Sequence, residues 1–267
     1  MPLSKWQVYH IEKMIDPHFL TKSLRCGKIC LKNLACAAPD RTECMGERKE
    51  RSMSGIQYIK IPARFDPNVV LRVVSGHFAT SQSHITRYMD IAAMKSRCNE
   101  AKGAARLLAQ RYESTIPVDS IVCLDGMEVV GTYLAEALTR VGVMSYNAHK
   151  SLYVLSPEYS TAGQIIFRDN IQMAIRDKHI LVLMGSVTTG KTLETALECI
   201  RYYRGNVTGA CAVFSAVERV DDIDIHAIFH PDDVHGFASY PANECPLCRS
   251  GERIHAIVNS FGYSTLN

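Results

Sequence analysis

Apolar positions along this chain fall into two patterns that alternate. Short continuous apolar runs, Ile121–Leu124, Ile180–Met184 and Gly209–Val217, read as strands buried on both faces of a parallel sheet. Ile225–Phe229 reads as a further strand, stopped by His230-Pro231. Between these runs the apolar residues recur with the helical period of 3.6. Asn99–Tyr112 turns Ala101, Ala104, Ala105, Leu107 and Leu108 inward, Val129–Val141 does so through Val130, Leu134, Ala137 and Leu138, and Thr192–Tyr203 through Leu193, Ala196, Leu197 and Ile200. Strand and helix in alternation predict an α/β fold, a mostly parallel twisted sheet of about five strands with helices on both faces. Val143–Lys150 is expected to be a strand ending in basic residues, and Trp6–Met14 a helix. Pro67 keeps the apolar stretch Arg64–Val74 out of a central strand. Ser151–Asn170 has the length of a lid loop, with Gln164–Phe167 as a strand within it.

Composition narrows the class. At 267 residues and 47% hydrophobic content the chain can bury one sizeable α/β domain plus an extension. A formal net charge of +3 is too small to require nucleic acid as an obligate partner, and the basic surplus sits in residues 1–55. No apolar run approaches the roughly 20 residues that span a bilayer. Met1–Leu20 carries charges throughout where a signal peptide has an apolar core, so the expected compartment is the cytoplasm, with no membrane partner.

In a reducing compartment ten cysteines argue for free thiols or metal ligands over a disulfide framework. Cys245-Pro246-Leu247-Cys248 is a knuckle of the kind that offers two thiolates to a structural zinc ion. Such an ion takes four ligands, which leaves His230, His235 or the N-terminal Cys26, Cys30, Cys36 and Cys44 as partners, with a reduced unligated pair as the alternative. By themselves the N-terminal cysteines match no common zinc spacing. Asp221, Asp222 and Asp224 are acidic enough for a metal and equally consistent with a solvated loop.

The densest chemistry lies in His179–Glu198, an apolar strand, a loop and a helix. The loop residues Ser186, Thr188, Thr189, Gly190 and Thr192 are small or hydroxylic and stand at a helix start, where unpaired N–H groups and the positive helix end favour an anion. Gly185-Ser186-Val187-Thr188-Thr189-Gly190-Lys191-Thr192 also satisfies G-x-x-x-x-G-K-T, the loop of nucleotide hydrolases. Against that reading, a βαβ pattern already precedes the loop, and no apolar run ending in Asp follows at a distance suited to a second metal-binding element.

In context, Leu181–Thr192 resembles the ribose-phosphate loop of type I phosphoribosyltransferases, an apolar strand followed by two acidic residues, two more residues and Thr-Thr-Gly-x-Thr. Ile121–Leu138 looks like the first strand, pyrophosphate loop and helix of that family, and Ser75–Asp90 is similar to the N-terminal substrate hood of its orotate branch. The resemblance implies phosphate binding by Val187, Thr188, Thr189, Gly190, Lys191 and Thr192, and a pyrophosphate loop of Asp125, Gly126, Met127 and Glu128. It places Ser81, Ser83, His84 and Arg87 in the hood near the substrate. Lys150, with His149 beside it, and Arg168 are the catalytic candidates that would neutralise the leaving pyrophosphate, since residues 151–170 hold no Lys. It further implies phosphoribosyl pyrophosphate with magnesium as donor, a nucleobase as acceptor, and a homodimer.

The chain departs from the family at one point above all. Met184 and Gly185 occupy the two acidic positions that hold the ribose hydroxyls, and Asp125 and Glu128 add negative charge where an anion should sit unless magnesium bridges them. The expected organisation is a basic Cys-containing extension (1–55), a phosphoribosyltransferase-like domain with its small N-terminal hood (56–230), and a Cys-containing tail (231–267). The expected function is orotate-type transfer of ribose 5-phosphate to a nucleobase. A catalytically weak or inactive nucleotide- or phosphate-binding regulatory module is the alternative, and a P-loop nucleotide hydrolase a minor one.

Overall fold

A computed structural model describes residues 57–266 apart from 113–115, 141–145, 149, 162 and 260. The expected helix at Trp6–Met14, the cysteines at 26, 30, 36 and 44, and His149 lie outside the described residues. Residues 51–267 make one compact unit.

In chain order the strands are β1 (Ile59–Pro62), β2 (Val70–Ala79), β3 (His84–Asp90), β4 (Ser120–Cys123), β5 (Tyr153–Leu155), β6 (Glu158–Tyr159), β7 (Ile165–Ile166), β8 (His179–Val187), β9 (Asn206–Ser215), β10 (Arg219–Val220), β11 (Ile223–Phe229), β12 (Ser239–Tyr240), β13 (Ala256–Asn259) and β14 (Gly262–Thr265). The helices are α1 (Ala92–Ser96), α2 (Cys98–Ala109), α3 (Glu128–Arg140), α4 (Asp169–Gln172), α5 (Lys191–Tyr202) and α6 (Pro246–Arg249). Among the described residues no helix is long and apolar enough to cross a membrane.

The main sheet has the order β10-β11-β9-β8-β4-β5. Its five longer neighbours β11, β9, β8, β4 and β5 run parallel, and β10 is an antiparallel edge. Helices cover both faces, as the apolar periods predict. Alternate residues of β8 enter opposite cores: Leu181 and Leu183 face the helices α2 and α3, whereas Ile180, Val182 and Met184 face α5. Chain order reverses between β4 and β8, because β5 is added on one side of β4 and β8 on the other. In open α/β sheets that switch point, at the carboxyl ends of the strands, is where ligands bind.

Buried polar side chains fasten the amino ends. The amide of Asn147 accepts the Val118 N–H at 2.9 Å and donates to the carbonyl of Ile116 at 2.9 Å, while the Tyr112 hydroxyl donates to the carbonyl of Ala210 at 2.9 Å. One expectation changes here. Where a strand is expected over 143–150, Tyr146, Asn147 and Ala148 form a turn, and the next strand is β5. Within the lid stretch the strand expected at Gln164–Phe167 is present as β7, which pairs with β6 as a short hairpin.

The hood is larger than the sequence suggests. A second sheet, β12-β3-β2-β13-β14 with β1 beside β2, draws its last three members from residues 239–265. The tail is therefore built into the hood and does not stand apart. It has a small core of its own, in which Val74, Phe78, Ile85 and Tyr88 meet Ala256 and Val258.

Gly131 shows how tightly α3 lies on the sheet. A Cβ at this position would run into Cys123 Sγ and approach Val154 Cγ1 at 3.2 Å. In an exposed helix Gly→Ala stabilises by about 1 kcal/mol. Here overpacking outweighs that gain, and Gly131→Ala is expected to destabilise by about 1–3 kcal/mol in a urea titration; a stabilised variant would show that α3 is free to move off the sheet.

Candidate functional site

Two loops meet at the switch point. The first follows β4 and turns through Asp125 and Gly126, both with left-handed backbone (φ 58° and 73°), into α3. The second leaves β8 and reaches α5 in three residues, Thr188–Gly190, with Gly190 also left-handed at φ 83°. A Cβ on Gly190 would lie 2.6 Å from Val220 Cγ2, so both its angle and its packing demand glycine. No side chain caps the start of α5, so its N–H groups are left to the ligand side.

Val187 through Thr192 all line one cleft of 160 Å³, with Thr80, Ser81 and Gln82 of the hood and Asn259 of the tail opposite them. The loop residues singled out in the sequence thus share one concave surface. The P-loop reading fails on geometry. Gly185 lies inside β8, flanked by paired Met184 and Ser186, so the chain is still a hydrogen-bonded strand where a P-loop would already wrap the phosphates.

Around the first loop only Asp125 and Gly126 line the clefts. Met127 is fully buried in the core beneath them, and Glu128 opens α3, where its carboxylate accepts from the Ser156 hydroxyl. The expectation of a four-residue pyrophosphate loop is therefore halved. Asp125 is the one carboxylate lining either cleft among the described residues.

Its negative charge is answered by a residue that sequence reasoning missed. Lys95, on α1, lines the adjoining cleft and donates from Nζ to the carbonyl of Asp125. Burial pulls its pKa down, and Asp125, Glu128 and Asp90 act in the opposite direction. Lys95 also occupies the space next to the second missing acid. A Cβ on Gly185 would stand 2.5 Å from Ile91 Cδ1, 3.3 Å from Lys95 Cε and 3.5 Å from Lys95 Nζ. At the first position Met184 is 2% exposed and packed in the α5-side core.

Several assignments need correcting. Lys150 lies 3.8 Å from Asp119 and stacks its ammonium on Tyr146, at the amino end of β4 and so at the opposite edge of the sheet from the cleft. Arg168 is held by Glu158 through two bonds of 2.6 Å across the lid hairpin, and it lines neither cleft. Of the four hood candidates Ser81, Ser83, His84 and Arg87, only Ser81 reaches the cleft. Ser83 is buried in the hairpin turn, donating from its N–H to Thr80 Oγ1 at 2.8 Å, and Arg87 donates to the carbonyl of His235 at 3.2 Å. His84 turns to the tail instead, where His77, Cys245 and Cys248 meet it; the ligand atoms of these four all lie within 4.8 Å of one another. His230, His235 and the Asp221–Asp224 run are not in that cluster, and Asp221 and Asp222 pair with Arg201.

Fold and site together define a doubly wound α/β protein with a cleft at its switch point, faced by a hood. The chain is 25% identical over 189 residues to an orotate phosphoribosyltransferase of Pelotomaculum thermopropionicum, covering 67% of this chain and 86% of that protein. It is 26% identical over 179 residues to an orotate phosphoribosyltransferase of Caldanaerobacter subterraneus, covering 66% and 85%. No family model matches. Among solved structures, a phosphoribosyltransferase of Corynebacterium diphtheriae covers 61% of this chain and 90% of its own at 17% identity and a TM-score of 0.44. The chain is a relative of the type I phosphoribosyltransferases, on their orotate side, as its sequence landmarks imply.

Lys191 lines the cleft from the first turn of α5 and is exposed, so it adds charge to a cradle whose main donors are backbone. Lys191→Ala is expected to weaken inorganic phosphate binding about tenfold without abolishing it, read by calorimetry at fixed salt. Complete loss would mean that the backbone N–H groups carry little of the contact.

Proposed function

We propose that this protein binds a 5-phosphorylated ribose compound, phosphoribosyl pyrophosphate with magnesium as the first choice, and transfers the phosphoribosyl group to orotate slowly or not at all. The observation that carries the reading is the cleft itself: a cradle at 187–192 facing the hood, with Asp125 its one carboxylate. The 5-phosphate belongs on the N–H groups of the cradle. The ribose lies over Met184 and Gly185, where relatives with two acids grip its 2′ and 3′ hydroxyls and this chain offers a thioether and a glycine.

Among the residues lining the two clefts Asp125 is the carboxylate that would hold a magnesium ion accompanying the donor, and the ion would supply charge neutralisation. The chain's own residues position the ligand and exclude water: Lys95 offsets the charge of the Asp125 loop, and Gln82 and Tyr159 line the space between the hood, the lid hairpin and the start of α5.

Two charge-assisted bonds to the ribose are worth about 3–6 kcal/mol together, or roughly two to four powers of ten in rate. Turnover with phosphoribosyl pyrophosphate, magnesium and orotate is expected to fall short of an ordinary family member by that factor, while the donor still protects the protein in a thermal-shift assay. Brisk turnover would overturn the weak-activity half of the proposal, and no protection by any phosphoribosyl compound would overturn the binding half. Gly185→Asp is not expected to restore activity, because its side chain has no room beside Ile91 and Lys95; it is expected to destabilise by about 1–3 kcal/mol in denaturant.

A further inference from the structure

The cluster of His77, His84, Cys245 and Cys248 has no part in the phosphate site and makes contacts that no ordinary hydrogen-bond pattern requires. The ring of His77 is fully buried. Its Nδ1 stands 3.1 Å from the carbonyl of Glu252, which fixes that nitrogen as the donor and leaves a lone pair on Nε2. Toward that lone pair converge His84 Nδ1 at 3.1 Å, Cys245 Sγ at 3.5 Å and Cys248 Sγ at 3.6 Å, and Cys248 Sγ lies 3.2 Å from His84 Nδ1. Four ligand atoms bound tetrahedrally at about 2.0–2.3 Å are spaced by about 3.3–3.8 Å. The observed separations fall at or just below that spacing.

We propose that these four residues bind one structural zinc ion, which staples the tail to the hood and so fixes one wall of the phosphate cleft. Two thiolates and two imidazoles in a closed tetrahedron are a zinc donor set that leaves no position for water or substrate. The carbonyl of Glu252 behind His77 is the outer partner that orients a metal-bound imidazole. The ligands come from β2, β3 and the turn around α6, which lies just before β13. His77 joins the same parts through its main chain, donating its N–H to His255 Nδ1 at 2.8 Å and accepting the His255 N–H at 2.8 Å. Beyond that clamp β13 pairs with β2 at only Ala256↔Phe78 and Ile257↔Ala79, and the next two residues, Val258 and Asn259, line the cleft that faces Thr188–Thr192.

The proposal is independent of which phosphoribosyl compound the protein takes. Its test uses the full chain with Cys26, Cys30, Cys36 and Cys44 changed to Ser, so that other thiols do not confuse the count. Purified without chelator, this protein should carry one zinc per chain by elemental analysis, and Cys248→Ser, at an exposed ligand, should lose it. Replacing zinc by cobalt(II) should give the thiolate-to-metal charge-transfer band and intense visible bands of a tetrahedral site, a measurement that needs no variant. Removing the metal should raise amide exchange of residues 256–265 at least tenfold while 180–183 of β8 stays protected. Absence of zinc together with failure to take up cobalt would overturn the site. Metal content unchanged by Cys248→Ser would overturn the ligand assignment, and tail exchange indifferent to the metal would overturn the staple.

Discussion

The structure turns on the burial of β8 from both sides up to the point where it releases the loop Thr188–Gly190. Leu181 and Leu183 are fully covered by one helical layer, and Ile180 and Val182 by the other. A strand so enclosed cannot shift by one residue without exchanging its two faces, so Thr188 always begins the loop. That register gives the cradle its rigidity. It also fixes what the two residues before the loop can be: Met184 extends the α5-side core by one layer, and Gly185 gives way to Ile91 and Lys95 from the other side.

Packing from both sides therefore sets the residues at 184 and 185 together. A charged group beside a carboxylate loop in a half-buried cleft has to be balanced. Lys95 does this for Asp125, with Glu128 further off and partly engaged by Ser156. At this end of the cleft a cation approaches from α1, and Asp125 is the one carboxylate lining either cleft among the described residues. The cleft is thus lined by the small and hydroxylic loop residues Val187–Thr192, while the strand end below it is filled by apolar packing.

Much of this was legible in the sequence where the chemistry is local. Strand, loop and helix from Ile180 to Tyr203 fix the cradle within a few residues, and the three helices and four buried strands read from apolar spacing are all present. What was not legible lies in long-range pairing. Lys150 reads as a strand end near the ligand, yet its segment turns before β5 begins, which leaves it at Asp119 on the amino side. Lys95 sits on a helix of five residues, too short to show a period. His77 and His84 are 168 and 164 residues from the cysteines they meet, so a ligand search by spacing could not reach them. The available signal was two histidines seven apart across a hairpin turn, which places both on one end of the hood.

The hood also explains why a staple is needed. Its core of six buried residues is small, and the tail contributes Ala256 and Val258 to it, with Phe237 and Tyr263 packed against it half-buried. Burying side chains of this size is worth about 1–3 kcal/mol each, whereas ordering the tail backbone costs about 1–2 kcal/mol for every residue fixed. A two-pair parallel ladder does not close that gap, since pairing of this length is marginal by itself. Closing a loop of well over a hundred residues adds only slowly to the cost. The shortfall is thus local, in the ten or so residues that run from α6 to the cleft wall. Four side chains converging at the head of that segment act where the deficit lies, and this links the His/Cys cluster to the shape of the cleft that Val258 and Asn259 line.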